Sequence, residues 1–569
     1  MLSRLRLLSI FIYIGFLLII VRLFYWQVIQ ASFLSSKVRL QHESGYVLSA
    51  PRGDILTSDG SYLVASLDSW LVYASLDQIK DDPRKISQKL APLTIEKVND
   101  KEELINEEGR IESLLSKKGT VWIPIKHRVA NEVKKNIESL NLEGIGFEPE
   151  ETRFYPEASS AAHLLGFVGK DTIGDDQGYF GLEGYYDLAL SGKPGFLERE
   201  EDVKGSPISI GGSKEISAIG GIDLVTRIDK TIQLIVDQKL REGIGRYGAT
   251  AGSVIVMDPA NGGILAMSSF PTYEPSRYWD YGNEYFLNPV ISSSFEPGSV
   301  FKIAVMASAL DAGVVKPETI CDMCNGPLKI DKYFIETWNN KYHPDSSMTD
   351  VIVNSDNVGM AFVAQKLGKD KLFQYLKKFG IGETTGIDLQ GESTPPLRDR
   401  ENWSDVDLVT AGFGQGVAVT PIQMIRVAAI IANKGMNVKP YVVDKIISGA
   451  KEKGVDIGRE ERVISQSAAS KTTAMMVEAA AKGESKWAYI KGFKIAGKTG
   501  TAQIPIQGHY DTENTIASFV GFAPYDNPKF VMLITLNKPK SSPWASETAA
   551  PLWYSIAREL FLYLGIQSE

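Results

Sequence analysis

The sequence reads Pro297-Gly-Ser-Val-Phe-Lys302 at the start of a long apolar segment that continues to Gly313. The Pro-Gly pair breaks the chain, so a helix is predicted to begin at Ser299 and to stop at Gly313. Its side chains are apolar nearly all round, which is typical of a helix buried inside a domain. Ser299 then lies in the first turn, where unpaired backbone N–H groups and the helix dipole favour negative charge.

Lys302 follows Ser299 by three positions, which places both side chains on the same face of the predicted helix. A snorkelling surface lysine is disfavoured because this helix lacks a polar face, so Lys302 must be paired or functional. Burial lowers the pKa of a lysine, and a neutral amine beside a serine hydroxyl is suited to acyl transfer through a serine ester. Ser448-Gly-Ala-Lys451 has the same spacing but lies in a Gly/Lys-rich loop that offers no such argument.

A second polar motif, Ser355-Asp-Asn357, lies between two apolar segments. One interpretation makes Asn354 or Ser355 the N-cap of a helix, and the other makes Ser355 and Asn357 part of a site wall. The two interpretations are compatible, because such side chains can cap a helix and also face a cleft. Asp356 is expected to point away from that cleft.

A third motif, Lys498-Thr-Gly-Thr501, follows Phe493-Lys-Ile-Ala-Gly497, which is predicted to be a strand. Glycine in a strand often marks the close approach of a ligand or of another backbone. Lys498, the hydroxyls of Thr499 and Thr501 and the backbone around Gly500 would suit a substrate carboxylate and a peptide added along the strand. An edge-strand lysine that discourages aggregation is the alternative, and it does not explain the glycines.

Two predicted hairpins frame these motifs in the chain. Residues 253–258 and 264–267 flank one turn rich in Pro and Gly, and residues 516–523 and 530–536 flank another. Residues 232–247 have the pattern of an amphipathic helix. A hairpin at each end, with helices between and after them, indicates an antiparallel sheet covered by helices, which is the α+β class.

The composition is that of a globular protein with two or three domains, since the chain has 569 residues, 44% of them hydrophobic and 23% charged. The net charge of -8 argues against nucleic acid as the main partner. No phosphate-binding or dinucleotide fingerprint stands between a strand and a helix. No cofactor is predicted.

The N-terminus predicts a membrane anchor. Arg4 and Arg6 precede an apolar run, and residues 7–26 are long enough to cross a bilayer. Arg22 can snorkel to the interface, and the basic residues ahead of the run favour a cytoplasmic N-terminus and an external body. A cleaved signal peptide is the alternative, although no convincing cleavage site follows. Residues 1–30 are therefore assigned to a short tail and a single transmembrane helix.

The body of the chain divides near residue 223. Residues 31–222 contain no catalytic grouping and are expected to form a scaffold or docking module, in which residues 81–139 are a charged and helical insertion. Residues 223–569 carry all three motifs and are expected to form the catalytic domain.

The three motifs together resemble the active site of penicillin-binding proteins and serine β-lactamases. The resemblance to class B penicillin-binding proteins extends over nearly the whole chain and is closest to the division-type subgroup. It is carried by Arg52-Gly-Asp-Ile, Arg153-Phe-Tyr-Pro156, His163-Leu-Leu-Gly166, Gly181-Leu-Glu183, Phe295-Glu-Pro-Gly-Ser299, Thr385-Gly-Ile-Asp388, Phe413-Gly-Gln-Gly416, Thr420-Pro-Ile-Gln423 and Ser518-Phe-Val-Gly521. It implies an elongated pedestal or dimerisation-type module followed by a penicillin-binding transpeptidase domain.

The resemblance also implies a role for each residue of the motifs. Ser299 would attack the D-alanyl-D-alanine bond of a peptidoglycan stem peptide, and Lys302 would take its proton. Ser355 would relay protons to the leaving group, Asn357 would orient the donor amide, and Lys498 would add positive potential. Thr499, Gly500 and Thr501 would bind the donor peptide, and the N–H groups of Ser299 and Thr501 would hold the oxyanion.

The implied partners are donor and acceptor stem peptides, β-lactams, the membrane, a membrane-embedded glycan polymerase, and division or elongation proteins. A β-lactamase, a β-lactam sensor and a non-catalytic wall-assembly scaffold are the alternatives. A fast deacylating group, which a β-lactamase needs, is not evident in the sequence.

Cys321-Asp-Met-Cys324 lies between the first two motifs. A structural disulfide or two thiols in a small turn is the favoured interpretation for an external domain. A zinc site with His343 or a nearby aspartate is the alternative, but no second close pair of ligands exists. His509 is expected to be structural, and no metal is predicted.

Overall fold

The computed structural model describes residues 2–31, 33, 43–95, 100–172, 174–200, 213–456, 458, 461–506 and 509–568. The chain divides into two compact units. The first unit comprises Met1–Arg52 and Ser191–Gly221, and the second comprises Gly53–Leu190 and Ile222–Glu569.

The strands are, in chain order, β1 (Glu43–Leu48), β2 (Ile55–Leu56), β3 (Tyr62–Ser75), β4 (Trp122–Val129), β5 (Ile145–Phe154), β6 (Phe167–Lys170), β7 (Asp176–Tyr179), β8 (Gly195–Glu200), β9 (Ser213–Ile216), β10 (Asp223–Thr226), β11 (Ala251–Met257), β12 (Ile264–Phe270), β13 (Leu328–Ile330), β14 (Tyr333–Ile335), β15 (Val443–Ser448), β16 (Lys451–Gly454), β17 (Ala496–Ile506), β18 (His509–Ala523) and β19 (Phe530–Asn537).

The α-helices are α1 (Leu2–Phe24), α2 (Pro83–Thr94), α3 (Lys101–Leu115), α4 (Asn131–Ser139), α5 (Ala162–Leu165), α6 (Gly181–Tyr185), α7 (Asp187–Leu190), α8 (Lys230–Tyr247), α9 (Pro289–Ser292), α10 (Lys302–Asp311), α11 (Met348–Val353), α12 (Asn357–Leu367), α13 (Lys369–Lys378), α14 (Asp405–Ala411), α15 (Pro421–Ala432), α16 (Gln466–Lys482) and α17 (Ala549–Tyr563). Short 3₁₀ turns occupy Pro275–Asp280, Asn283–Tyr285, Gly298–Phe301 and Arg400–Asn402.

The first unit contains the apolar N-terminal helix. Apart from Arg22 and a few small or polar residues, Leu7–Ile29 is apolar and long enough to cross a bilayer, and none of it is buried against the other residues that the structure describes. Helix α1 passes into a π-helical turn at Tyr25–Ile29, and the Arg22 guanidinium lies 5.2 Å from the centre of the Trp26 ring. An arginine over an aromatic ring at one end of an apolar helix suits a membrane interface, so α1 fits a membrane anchor. The same unit holds a three-stranded antiparallel sheet of order β1-β8-β9.

The centre of the second unit is a five-stranded antiparallel sheet of order β12-β11-β19-β18-β17. Both predicted hairpins are present in it, as β11–β12 and as β18–β19. Helices α8 and α17 pack on one face, where Trp553 is fully buried beside Phe530. A larger apolar cluster that includes α10, α12, α15 and α16 covers the other face. The expected class, an antiparallel sheet covered by helices, is confirmed.

A second sheet in this unit joins distant parts of the chain, in the order β16-β15-β10-β2-β3-β4, with β5 paired to β3. β10 pairs in parallel with β2 and antiparallel with β15. This sheet therefore combines strands from before and after residue 223, the predicted division of the chain. Helices α2, α3 and α4 lie in the predicted charged insertion, but that insertion also contains β4, which the helical interpretation missed. Ile123, Ile125 and Val129 of β4 are buried, and β4 pairs with β3.

Helix α10 lies inside the larger cluster, and each of its residues from Lys302 to Leu310 is buried. The α-helix begins at Lys302, three residues later than predicted, because Gly298–Phe301 forms a 3₁₀ turn. The helix ends at Asp311, and Gly313 follows with φ of 69°. A glycine tolerates this left-handed conformation, which explains the predicted stop.

Candidate active site

The turn that carries Ser299 is held by its neighbours on two sides. Gly298 has φ of 55°, and its N–H donates to the carbonyl oxygen of Gly414 at 3.0 Å. A Cβ atom on Gly414 would lie 2.2 Å from the Gly298 oxygen, so only glycine fits there. Phe295 pairs with Val419 just ahead of the turn. Ser299, which is partly exposed, thus lies on a turn whose backbone is held in place by these contacts.

Lys302 is completely buried, and its amine lies within a ring of oxygen acceptors. Its Nζ donates to the backbone oxygen of Ser355 at 2.6 Å and to Oδ1 of Asn357 at 2.8 Å. The Oγ atom of Ser355 is further away, at 3.4 Å. Burial, with a contribution from the nearby positive charge of Lys498, lowers the pKa of Lys302 to about 7. The amine is therefore available in its neutral form near neutral pH.

The second motif turns sharply between α11 and α12. Ser355 has φ of 55° and is buried, and Asn357 begins α12. The N-cap of α12 is Asp356, whose Oδ1 accepts from the N–H groups of Val358 and Gly359. The interpretation of Asn354 or Ser355 as the N-cap is therefore wrong: the left-handed turn at Ser355 directs its hydroxyl to Lys302 and Lys498 instead.

Lys498 lies on β17, and it is buried like Lys302. Its Nζ donates to Oγ of Ser355 at 3.0 Å, to the backbone oxygen of Thr499 at 3.1 Å and to Oγ1 of Thr499 at 3.2 Å. Burial lowers the pKa of Lys498, and the carboxylate of Glu484 opposes that effect. The hydroxyl of Ser355 thus lies between the two lysines.

The third motif lies on a strand, as predicted, although β17 begins at Ala496 and not at Phe493. The strand packs against the serine turn, because a Cβ atom on Gly500 would lie 2.8 Å from Cγ1 of Val300 and 3.0 Å from its backbone nitrogen. β17 is also the last strand of its sheet, so its outer edge has no partner strand among the described residues. Oγ1 of Thr501 accepts from the N–H of Ala545 at 3.0 Å. The backbones of the first and third motifs therefore lie side by side.

Two carboxylates that the sequence analysis missed border this group. Oε2 of Glu484 accepts from Oγ1 of Thr499 at 3.2 Å. Glu296 accepts from the N–H of Gly416 at 3.1 Å and from the Tyr510 hydroxyl at 3.0 Å, and burial raises its pKa. Glu296 directly precedes Pro297 and was within reach of sequence reasoning, whereas nothing in the sequence around Glu484 indicates its contact with Thr499.

The remaining candidates lie outside this group of contacts. Cys321 and Cys324 are joined in a disulfide, so neither offers a thiolate to zinc. Among the described residues, no group of three His, Cys, Asp or Glu side chains is arranged to hold a metal ion. Ser448 and Lys451 lie on the exposed β15–β16 hairpin. His509 is an exposed residue at the start of β18.

Comparison with known proteins places this geometry in context. The family model described as the penicillin binding protein transpeptidase domain matches residues 252–560, and the model described as the penicillin-binding protein dimerisation domain matches residues 47–226. The chain is 32% identical to stage V sporulation protein D of Bacillus subtilis, over 99% of this chain and 86% of that protein. It is 31% identical to the peptidoglycan D,D-transpeptidase FtsI of Buchnera aphidicola, over 80% of this chain and 77% of that protein.

The fold is shared with a solved structure. The crystal structure of penicillin binding protein 3 from Mycobacterium tuberculosis, complexed with aztreonam, superposes with a TM-score of 0.69. The two chains are 24% identical, and the match covers 92% of this chain and 98% of that one.

Proposed function

Because this chain belongs to the family of penicillin-binding protein transpeptidases, we propose that it crosslinks peptidoglycan through an acyl-enzyme formed on Ser299. The chain is a peptidoglycan D,D-transpeptidase that acts in cell-wall synthesis and is inhibited by β-lactams. The observation that supports the serine mechanism is the position of the Ser355 hydroxyl, 3.0 Å from Lys498 and 3.4 Å from Lys302. Lys498 lies on β17, which packs against the turn that carries Ser299.

Lys302 acts as the base that takes the proton of Ser299. A neutral amine has two N–H donors and one lone pair, and Lys302 has two short acceptors, at 2.6 and 2.8 Å. In the neutral form those two bonds use both hydrogens, and the lone pair can accept a hydroxyl proton, with the longer contact to Oγ of Ser355 at 3.4 Å. The lowered pKa of Lys302, about 7, supports the neutral form. One helical turn separates Ser299 from Lys302, which suits direct transfer.

Lys498 acts as the fixed positive charge. An ammonium group has three donors, and Lys498 has three acceptors between 3.0 and 3.2 Å. Its charge attracts the terminal carboxylate of the donor peptide, which Thr499 and Thr501 bind through their hydroxyls. Gly500 leaves space for the turn that carries Ser299 to pack against β17, and the donor peptide adds along the outer edge of that strand.

The first half-reaction exchanges one acyl bond for another. Oγ of Ser299 bonds to the carbonyl carbon of the penultimate D-alanine, and the bond to the terminal D-alanine breaks. The serine proton passes to Lys302 and then through the Ser355 hydroxyl to the leaving nitrogen. Asn357 orients the donor amide, and the backbone N–H groups of Ser299 and Thr501 stabilise the oxyanion. Free D-alanine departs.

The second half-reaction releases the enzyme. The amine of a second stem peptide attacks the ester carbon, its proton passes to Lys302, and the bond from that carbon to Oγ of Ser299 breaks. Lys302 returns the proton to Oγ of Ser299. A new amide bond then joins the two stem peptides. This order of events needs no metal ion or cofactor, because every proton moves between the named side chains and the substrates.

The other parts of the chain hold the catalytic site at the membrane, next to the cell wall. We assign residues 1–30 to the cytoplasmic tail and anchor, residues 31–222 to a pedestal module and residues 223–569 to the catalytic domain. Arg4 and Arg6 ahead of the anchor favour an extracytoplasmic catalytic domain. A membrane-embedded glycan polymerase, working with division or elongation proteins, would supply the strands that this enzyme crosslinks.

The proposal is tested with the full-length protein in detergent, a synthetic donor peptide ending in D-Ala-D-Ala, and a primary amine as acceptor. We expect the wild-type protein to release D-alanine and to form the peptide–amine product, detected by mass spectrometry. Ser299→Ala should do neither. Ser448→Ala is the matched control, because Ser448 and Lys451 repeat the spacing on an exposed hairpin, and it should retain full activity. Product formation by Ser299→Ala would contradict the proposal.

A further inference from the structure

Glu484 belongs to none of the three motifs, yet it contacts one of them. It lies in the turn that follows α16 (Gln466–Lys482) and is partly buried. Its Oε2 lies 3.2 Å from Oγ1 of Thr499. A carboxylate only accepts hydrogen bonds, so in the free enzyme, before a donor carboxylate binds, the single hydroxyl proton of Thr499 must point to Glu484.

The contact to Glu484 ends a directed chain of hydrogen bonds. While Thr499 donates its hydroxyl proton in the hydrogen bond to Glu484, its Oγ1 atom can only accept from Nζ of Lys498, which lies 3.2 Å away. Nζ of Lys498 also donates to Oγ of Ser355 at 3.0 Å. The direction of donation from Lys498 through Thr499 to Glu484 is therefore fixed by the number of hydrogens, and it requires donors on Lys498.

We propose that Glu484 is a positioning residue that acts through Thr499 to keep a proton on Lys498, and thereby leaves Lys302 as the neutral base. The inference rests on the proposed function and assigns the proton between its two lysines. Two ammonium groups on either side of one serine hydroxyl repel each other in a buried site, so one of them must give up its proton.

The charged neighbours of Lys498 and Lys302 shift the pKa values of the two lysines differently. Apart from burial, Glu484 is the one influence resolved on the pKa of Lys498, which it raises. The pKa of Lys302 is lowered by burial and then by Lys498, while Asp356 and, least of all, Glu484 raise it. Glu484 raises the pKa of both lysines, but the hydrogen-bonded route from Glu484 through Thr499 leads to Lys498. The charge on Lys498 in turn lowers the pKa of Lys302.

Three further titratable side chains lie close to Glu484 in the chain or beside its neighbour Ser485. Lys482 on α16 is paired with Glu478 at 2.5 Å and is also influenced by Asp350 on α11. Lys486 lies in the same turn as Glu484. Tyr554 on α17 faces the neighbouring Ser485, and burial raises the pKa of Tyr554.

The test is the pH dependence of the acylation rate with benzylpenicillin, measured on the full-length protein. Glu484→Gln removes the charge but keeps an oxygen that accepts from Thr499, so it separates charge from hydrogen bonding. We expect the alkaline limb of the profile, where Lys498 loses its proton, to move to lower pH by about one unit, the low end of the effect of a close opposite charge. Glu484→Asp, which keeps the charge, should shift the limb far less. Glu478→Gln, on the exposed face of α16, is the matched control and should leave the profile unchanged.

Each result decides the inference. An alkaline limb in Glu484→Gln that coincides with the wild-type limb overturns it, and so does a shift of equal size in Glu484→Asp. Unaltered kinetics in Glu484→Gln with a large loss in Glu484→Ala would assign Glu484 to holding Thr499 by a hydrogen bond alone, which also overturns the inference. If the wild-type protein forms no adduct, the proposed function itself fails, which is a distinguishable result.

Discussion

The Nζ atom of Lys302 lies 2.6 Å from the backbone oxygen of Ser355, although the two residues are 53 positions apart in the chain. This contact is made to the backbone, so it does not depend on the Ser355 side chain. It requires the left-handed turn at Ser355, where φ is 55°. The amine is therefore positioned by the path of the main chain between α11 and α12, with Asn357 as the second anchor.

Replacing Lys302 should remove the base and leave the serine in place. We expect Lys302→Met to lower the acylation rate about 10³-fold, within the range that general-base catalysis contributes. Lys302→Arg should be as slow, because a guanidinium does not give up its proton near neutral pH. The measurement is the second-order rate of labelling by a fluorescent penicillin. A rate within tenfold of wild type for Lys302→Arg would show that a neutral amine is not needed.

The acylation rate should depend on pH through Lys302. The pKa of Lys302 is lowered to about 7, so the base is protonated below that pH and free above it. We expect the rate to rise as the pH increases through about 7. Because the charge of Lys498 helps to lower this pKa, the acid limb of Lys498→Met should move to higher pH. An acid limb that stays in place in Lys498→Met would contradict the electrostatic coupling of the two lysines.

The close packing of β17 on the serine turn should make Gly500 intolerant of a side chain. A Cβ atom there would lie 2.7 Å from Oγ of Ser518 and 2.8 Å from Cγ1 of Val300. We expect Gly500→Ala to slow acylation at least tenfold, because the strand must move away from Ser299. Gly245→Ala is the control: Gly245 is exposed on α8 with open space around it, and alanine there should stabilise the helix by about 1 kcal/mol. Equal acylation rates in the two variants would refute the packing argument.

His163 should make the second unit sensitive to acid. Burial lowers the pKa of His163 from 6.5 to about 4, so the folded protein keeps it neutral while the unfolded chain binds a proton below 6.5. Stability is therefore lost as the pH falls from 6.5 towards 4, and at pH 5 the loss is about 2 kcal/mol. Melting temperatures at pH 7 and pH 5 should differ less in His163→Gln than in wild type. The same difference in both proteins would contradict a neutral buried histidine.

Local patterns in the sequence predict much of the fold. The two hairpins of the five-stranded sheet and the buried helix that carries Lys302 follow from alternation, turn residues and apolar composition. The strand β4 within the charged insertion cannot be predicted from such patterns, because it carries several charged side chains and its pairing with β3 is long-range.

The site is predictable to a lesser degree. The three motifs indicate which residues act, but not the hydrogen-bond partners that set their protonation. Asp356 caps α12 because the chain turns at Ser355, a left-handed conformation that no propensity rule assigns to serine. The contact of Glu484 with Thr499 joins two segments whose approach depends on the packing of α16 against β17, and it therefore required the structure.

The most direct test of the account is to locate the covalent adduct formed with a fluorescent penicillin. The full-length protein would be labelled, digested and mapped by mass spectrometry, with Ser299→Ala and Ser448→Ala as matched variants. We expect a long-lived ester on Ser299, its loss in Ser299→Ala and its retention in Ser448→Ala. An adduct on another residue, persistent labelling of Ser299→Ala, or rapid hydrolysis of the penicillin as in a β-lactamase would contradict the central claim that Ser299 is the acyl-transfer nucleophile of a transpeptidase.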